Sequence, residues 1–423
     1  MTSRGGVISG FSVLNSNVRH AMSALSEAGL LSEFHTTLDT TRAARILRNT
    51  PFGATLSRRS LPQLVHEHTR AHPFSELTRL VKQRTAAKRF FPNATVDASL
   101  RSIDSAVARR IGNHTSAVYG YEDSSLRSFT AAADLGIPRI YDLPIAYWRA
   151  GERLLDEEAD LQPEWAGTLS HRKYSDRKAR QDRKDSEIGL STRIVTASTF
   201  TRDSLSEYPG VLPPVEVVPY GAPAVLGSRR RRRPGSLRVL FVGGLSQRKG
   251  VSYFFEAVQQ MGSAVDVTVV GLKGGESSAL DRALAGVSWI PSAPHGQVLE
   301  LMRGADVLVF PSLFEGFGLV LTEALSQGLP IIATANTAAP DLITDGVEGW
   351  IVPIRSASAI RERLEILADD LELAEAMSEA AHARARSLLW APYEQAIAAL
   401  LFDVLGRERN SGHERSDLRG ETT

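Results

Sequence analysis

The chain of 423 residues contains no cysteine. Disulfides, thiolate nucleophiles and cysteine-ligated metals are thereby excluded, and the composition suits a reducing compartment. No apolar run approaches the roughly twenty residues needed to cross a bilayer, and the N-terminal MTSRGGVISGFSVLN lacks a charged lead followed by a sustained apolar core. Membrane contact, if made, is expected to be peripheral. An excess of one charge is lacking as well. With 49 basic residues against 48 acidic ones, there is no global electrostatic case for nucleic acid. Neither GxGxxG nor GxxxxGK[ST] is complete anywhere, and HExxH is absent even from VHEHTRAHP, so His66, His68 and His72 read as a polar helix and not as a metal site.

What is present is a globular composition, 43% hydrophobic, on a chain too long for one compact core. The first part alternates helical patterns such as Val18 to Ala28 with short apolar runs, Ser116 to Tyr119 and Arg139 to Tyr141, and reads as an irregular α/β domain. From Glu152 to Lys184 the sequence is densely charged without a clear strand, and reads as helical and solvated, a mobile flap. Arg193 to Ala197 follows as a buried strand, with Ser198 as a helix N-cap, then the strand and turn VEVVPYGAP. VLGSRRRRRPGS has no apolar periodicity and is read as the interdomain linker. Its run Arg229 to Arg233 is a solvated stretch on one reading and a contact for anionic lipid headgroups on another.

The second part is regular: LRVLFVGGL, VSYFFEAVQQM, DVTVVGL, VSWIPSA, QVLELMRGA and DVLVFPS alternate strand and helix and are rich in Val, Ile and Leu, as in a parallel sheet covered on both faces. Two glycine-bearing junctions stand out. FVGGLSQRKG, Phe241 to Gly250, carries Gly243 and Gly244 and then the basic pair Arg248 and Lys249. FPSLFEGFGLVLTEALSQGLPIIAT, Phe310 to Thr334, carries Glu315 and Glu323 eight residues apart with Gly316 and Gly318 between them. Strand-to-helix junctions of a parallel sheet share its carboxyl edge, where helix N–H groups favour an anion. Two cations facing a helix N-terminus would hold a diphosphate; the alternative is a capped core helix and a surface loop whose basic pair meets solvent. On a helical wheel Val320, Leu321, Ala324 and Leu325 share one face, which leaves Thr322, Glu323, Ser326 and Gln327 on the other.

Taken in order, VPYGAP, FVGGLSQRKG, VVGL, GADVLVFPSLFEGFGLVLTEALSQGLPIIAT and DGVEGWIVP resemble the nucleotide-sugar half of a retaining glycosyltransferase of family 4. The resemblance runs from about Ser191 to Trp390 and is faint before it. It implies an α/β GT-B fold of two facing Rossmann-like domains: an acceptor domain over 1–221, completed by a helix over 391–406 that crosses back, and a nucleotide-sugar domain over 222–390, with 407–423 as a disordered tail. It further implies that Glu323 binds the donor ribose and that Glu315 contacts the transferred sugar. The N–H groups of Phe317, Gly318 and Leu319 in the Gly316 turn would hold the distal phosphate, and Lys249 would neutralise the leaving diphosphate.

The sequence departs from the family pattern where Gly244 replaces a usual arginine, with Arg248 as the expected substitute. The first domain also lacks the family's facing histidine and its glycine-rich loop. Asn15, Asn17, Glu122, Asp142 and Tyr147 are the acceptor-side candidates, with no choice made among them, and Tyr147 with Trp148 suits sugar stacking or core packing equally. No Asp-x-Asp occurs, so a metal-bridged diphosphate of the other major glycosyltransferase class is unsupported. The implied function is metal-independent sugar transfer from a nucleotide diphosphate sugar, a co-substrate and not a cofactor, to a glycan or lipid-linked hydroxyl acceptor. The implied setting is cell-surface polysaccharide or glycolipid synthesis in the cytoplasm, at the inner face of the membrane. A non-catalytic nucleotide-sugar-binding protein and a GT-B epimerase are the alternatives.

Overall fold

The computed structural model describes residues 5–46, 59–74, 95–169, 177–225 and 234–420. Most of the linker expected around Arg229 to Arg233 therefore lies outside the described residues. Two parallel sheets organise the rest. The first comprises β1 (Gly6–Gly10), β2 (Leu31–Thr36), β3 (Thr69–Ala71), β4 (Thr115–Tyr121), β5 (Arg139–Leu143), β6 (Arg193–Thr196) and β7 (Val215–Val217), in the order β3-β2-β1-β4-β5-β6-β7. The second comprises β8 (Leu237–Val242), β9 (Val265–Val270), β10 (Ser288–Ile290), β11 (Val307–Phe310), β12 (Ile331–Thr334) and β13 (Gly349–Val352), in the order β10-β9-β8-β11-β12-β13. Each sheet reverses its strand order once, at β1/β4 and at β8/β11. Such switch points open a crevice at the carboxyl edge.

Period-two alternation gives the central strands two buried faces. In β4, Ala117, Tyr119 and Tyr121 enter one core cluster while Val118 enters another. In β8, Val239 and Phe241 pack in a cluster with Val251, Phe254 and Phe255, while Leu240 joins the cluster that holds Leu321 and Leu325. That last cluster runs through both domains.

The chain crosses between the domains twice at one place. Ala222 N–H donates to Leu388 O at 2.5 Å, and a Cβ on Gly221 would fall 2.5 Å from Trp390 Cα. The returning helix, Trp390–Gly420, buries Tyr393, Ile397, Leu400, Leu401 and Val404 in the cluster that holds Val18, Ala21, Met22 and Leu25 of helix Ser16–Glu27. His20 stacks on Trp390 at 4.0 Å and meets Glu394 at 2.6 Å. The helix packs against the first domain and runs to Gly420.

The charged stretch, of which 170–176 lie outside the described residues, is helical as expected but only partly solvated. It forms helices Trp148–Leu161 and Arg177–Leu190, with Glu158, Arg183 and Glu187 buried. Its charges are paired internally: Arg183 reaches Asp123 at 2.8 Å, Lys184 reaches Glu122 at 2.7 Å, and Glu187 accepts from the N–H groups of Asp123 and Ser125, both at 2.9 Å. Nor do the three histidines share a helix. Helix Gln63–Glu67 holds only His66, which pairs with Asp39, whereas His72 follows β3 and bonds His35 at 2.9 Å.

Ile397 is fully buried at the seam of the C-terminal helix. Ile397→Ala is expected to lower unfolding stability by about 2–5 kcal/mol, read from urea denaturation. A loss below about 1 kcal/mol would show that this helix is not part of the first domain's core.

Candidate active site

The β8 and β11 loops meet at the second switch point. After β8 the chain passes Gly243, at φ +151°, and forms a short 3-10 turn over Gln247–Lys249 that ends on Gly250 at φ +67°. A Cβ on Gly250 would overlap Pro311 O, so the turn can sit flush on the β11 loop. Leu313 N–H donates to Arg248 O at 2.9 Å and locks the two loops together. Glu315, with a side chain 14% exposed, ion-pairs with Lys249 and with Arg248 at 3.1 Å; Arg248 also donates to Phe314 O at 2.8 Å. The Lys249 ammonium lies 4.5 Å from the Phe310 ring centroid. Burial works to raise the Glu315 carboxyl, but Lys249 and Arg248 outweigh it and hold the group below the ordinary carboxylate range. Burial pulls the Lys249 ammonium down, against the attraction of Glu315.

Gly318, at φ +85°, turns the chain into helix Leu319–Ser326, and the N–H groups of Phe317, Gly318 and Leu319 form no hydrogen bond among the described residues. This is an anion-compatible helix start beside two cations. Glu323 projects to the surface edge of that helix, where His295 Nε2 meets Oε1 at 3.0 Å; hydrogen bonding to Glu323 raises the His295 pKa. The rest of the helix's polar face is not outward. Thr322, Ser326 and Gln327 are buried, because helix Leu371–Ser387 covers this side and Thr322 Oγ1 donates to Gly221 O at 3.3 Å. Gly244 has open space around it.

Comparison with known proteins agrees with this geometry. Residues 229–384 match the family model of glycosyl transferases group 1. That stretch is similar to the family. The chain is 30% identical over 241 residues to the D-inositol 3-phosphate glycosyltransferase of Paenarthrobacter aurescens, an alignment of 50% of this chain and 59% of that protein. It spans about half the length of the curated relatives it matches. Among solved structures, sucrose-phosphate synthase from Thermosynechococcus elongatus superposes with a TM-score of 0.64 at 17% identity, covering 96% of this chain and 100% of that one. Anabaena HepE in complex with UDP-glucose superposes with a TM-score of 0.60 at 14% identity, covering 94% and 100%. The fold is GT-B.

Across the GT-B cleft, the acceptor-side candidates are held by their own domain. Asn15 caps helix Ser16–Glu27 through Val18 N–H at 3.2 Å, and Asn17 donates to Tyr220 OH at 3.0 Å. Glu122 pairs with Lys184, and Tyr147 OH donates to Asp185 at 2.6 Å. Asp142 is buried against Tyr119 OH at 2.9 Å, and burial pushes its carboxyl up to about 7.

The first domain meets the Gly316 turn through backbone and hydroxyls, and Phe314 beside it through Ala146, Ala150 and Leu154. A Cβ on Gly316 would overlap Pro144 O and fall 2.7 Å from Ile145 Cα, while Gly316 O accepts from Ser198 Oγ at 2.5 Å and Thr201 Oγ1 at 3.0 Å. Ser198 is legible in sequence as an N-cap, and it does cap Thr201 N–H at 3.1 Å, but its second contact across the cleft carries no local signal. His295 was not legible as a site residue either, since nothing in PSAPHGQ marks a partner for Glu323.

Gly316 and Gly244 give opposite expectations from the same substitution. Gly316→Ala should cost at least about 2 kcal/mol of stability by forcing the domains apart, whereas Gly244→Ala should change it by less than about 1 kcal/mol. Thermal and urea unfolding read both. Equal effects would contradict the close approach at Pro144.

Proposed function

We propose that the chain transfers a sugar, with retention, from a nucleotide diphosphate sugar to a hydroxyl acceptor. The observation that carries the reading is the cluster of Arg248, Lys249 and Glu315 beside the open helix start at Phe317 to Leu319, inside the stretch similar to glycosyl transferases group 1. Lys249 and Arg248, aided by the helix N–H groups, meet the charge that develops on the departing diphosphate. Glu315 contacts the hydroxyls of the transferred sugar, and Glu323 binds the ribose. No protein nucleophile is required in this mechanism, because the departing phosphate oxygen takes the acceptor proton on the face of the sugar where the new bond forms. The enzyme works by positioning and charge stabilisation.

The relatives support the substrate class. HepE has been crystallised with UDP-glucose, and the Paenarthrobacter relative is named for a phosphorylated polyol acceptor. We extend the reading to a glycan or lipid-linked acceptor, in polysaccharide or glycolipid synthesis in the cytoplasm at the inner face of a membrane; none of the described helices is long and apolar enough to cross one. A second reading, nucleotide-sugar binding without transfer, is favoured by one observation: Pro144 and Ile145 press against Gly316 where the family pattern has a facing histidine. Release of nucleotide from a panel of nucleotide sugars, with and without acceptors, separates the two, since a binding protein releases none.

Glu323→Ala should weaken nucleoside diphosphate binding by about 2–4 kcal/mol through loss of two charge-assisted hydrogen bonds, measured by titration calorimetry with UDP, ADP and GDP. Unchanged affinity would remove Glu323 from the site.

The His295–Glu323 pair adds a pH dependence. Its pKa is raised above the ordinary 6.5, so the protonated ring contributes stability below that value and loses it as pH rises through the folded pKa. Ribose competes for the same carboxylate, so nucleotide affinity should move the opposite way and rise with pH through that pKa. The pair is well exposed, which limits the gain to about two- to fivefold. His295→Ala should flatten the profile; an unchanged profile would rule out the competition.

A further inference from the structure

One helix of the first domain touches both loops of the site. The residues leading into helix Trp148–Leu161, Pro144 and Ile145, lie against Gly316. On the helix itself, a Cβ on Gly151 would fall 2.6 Å from Phe314 Cζ, so the helix backbone sits on the ring next to Glu315. Two turns on, on the same face, comes Glu158. It is fully buried, and three side chains of the second domain donate to it: Gln247 Nε2 at 2.7 Å, Tyr253 OH at 2.9 Å and Arg355 Nε at 2.7 Å.

Gln247 directly precedes Arg248 and Lys249. Its side chain is fixed between Glu158 and Ser252, donating to Ser252 Oγ at 2.5 Å and accepting from Ser252 N–H at 3.2 Å. Its backbone N–H donates to Thr168 Oγ1, at 2.9 Å, in the segment that follows the helix. The 3-10 turn that carries both cations is therefore held from the first domain by Glu158 and Thr168, and from the β11 loop by Leu313.

A buried carboxylate at an apolar helix position is a costly way to join two surfaces, because apolar side chains of similar volume pack there without desolvating a charge. Arg355, its cationic partner, adopts φ +62°, a left-handed conformation uncommon for a residue other than glycine. The arrangement therefore secures direction more than adhesion.

We propose that Glu158 is a positioning residue that aims Arg248 and Lys249 at the donor diphosphate, with helix Trp148–Leu161 acting as a rigid gauge between the two loops. This rests on the donor-site reading given above. It places alignment of the second domain's cations under the control of a first-domain element whose start lies at the cleft.

The test is calorimetric titration of the full chain with UDP, ADP and GDP, with melting temperatures recorded for every variant. Glu158→Ala should lower affinity for the nucleotide that binds by about ten- to a hundredfold, as loss of a supporting contact does at other preorganised sites. Glu158→Gln, which keeps an acceptor for Gln247 and Tyr253, should recover most of that loss. In an Arg248→Ala background Glu158→Ala should cost less than about threefold, since it acts through the same turn. If Glu158→Ala does not fold, Gln247→Ala breaks the same link and should show the same non-additivity. Additive losses, or a fall in melting temperature with wild-type affinity, would make Glu158 a structural strut and overturn the proposal. A wild-type chain that binds none of the three nucleotides would instead overturn the donor-site reading and the proposal with it.

Discussion

Glu315 cannot be both charged and buried without cations beside it, and the architecture of the second domain follows from that requirement. Its partners are adjacent residues, Arg248 and Lys249, so a single 3-10 turn must bring both to one carboxylate. The turn can do so only because β8 and β11 are neighbours in the sheet and Gly250 lets it lie against Pro311. The same β11 loop then passes through Gly318 into the helix whose first N–H groups form no hydrogen bond among the described residues. Cation pair, carboxylate and helix N-terminus are thus one covalently short, mutually braced unit. Loosening any member leaves a desolvated charge without its counterpart.

The first domain is fitted to that unit closely. Gly316 admits the backbone of Pro144 and Ile145, two hydroxyls cap its carbonyl, and Asp341 of the second domain accepts from Thr199 N–H at 2.9 Å. The two chain crossings are tied to each other at Ala222 and Leu388, and one apolar cluster continues through both domains. Interdomain motion in such an arrangement must trade well-formed polar contacts for others, so the relative placement of the domains is set by specific bonds more than by a loose linker.

Much of this was legible in the sequence where local pattern decides structure. Helix Val251–Met261 coincides with its apolar stripe, and the β-branched runs of the second domain mark its strands to within a residue or two. That Arg248 and Lys249 share a sheet edge with the Glu315 loop follows from parallel-sheet geometry. What could not be read is burial of charge. Glu152 to Lys184 looks solvated because composition reports charges and not their partners; Arg183, Lys184 and Glu187 lie inside because Asp97, Asp123, Glu122 and two backbone N–H groups wait for them far away in sequence. Thr322, Ser326 and Gln327 misled for the related reason that a second helix layer covers a polar face. One signal was available: Glu158 stands in line with Gly151, Leu154 and Leu155 on the apolar face of its helix, and a carboxylate at such a position marks a partner from elsewhere.

The distribution of charge across the cleft gives the two domains different work. On the first domain's side, Asp142 is pushed up to about 7 by burial and loses its charge as pH falls below that value, while Glu122 and Asp123 face Lys184, Arg180 and Arg183. These charges cancel locally, so their field decays over a short distance. On the second domain's side, two cations share one carboxylate and lie beside an unpaired helix start, leaving a net positive centre in a water-poor seam where charge acts most strongly. An anion entering the cleft is therefore drawn to one wall only. On the function proposed above, the opposite wall would select by shape and hydrogen bonding, and the stabilisation of developing negative charge would fall to Arg248, Lys249 and the helix that begins at Leu319.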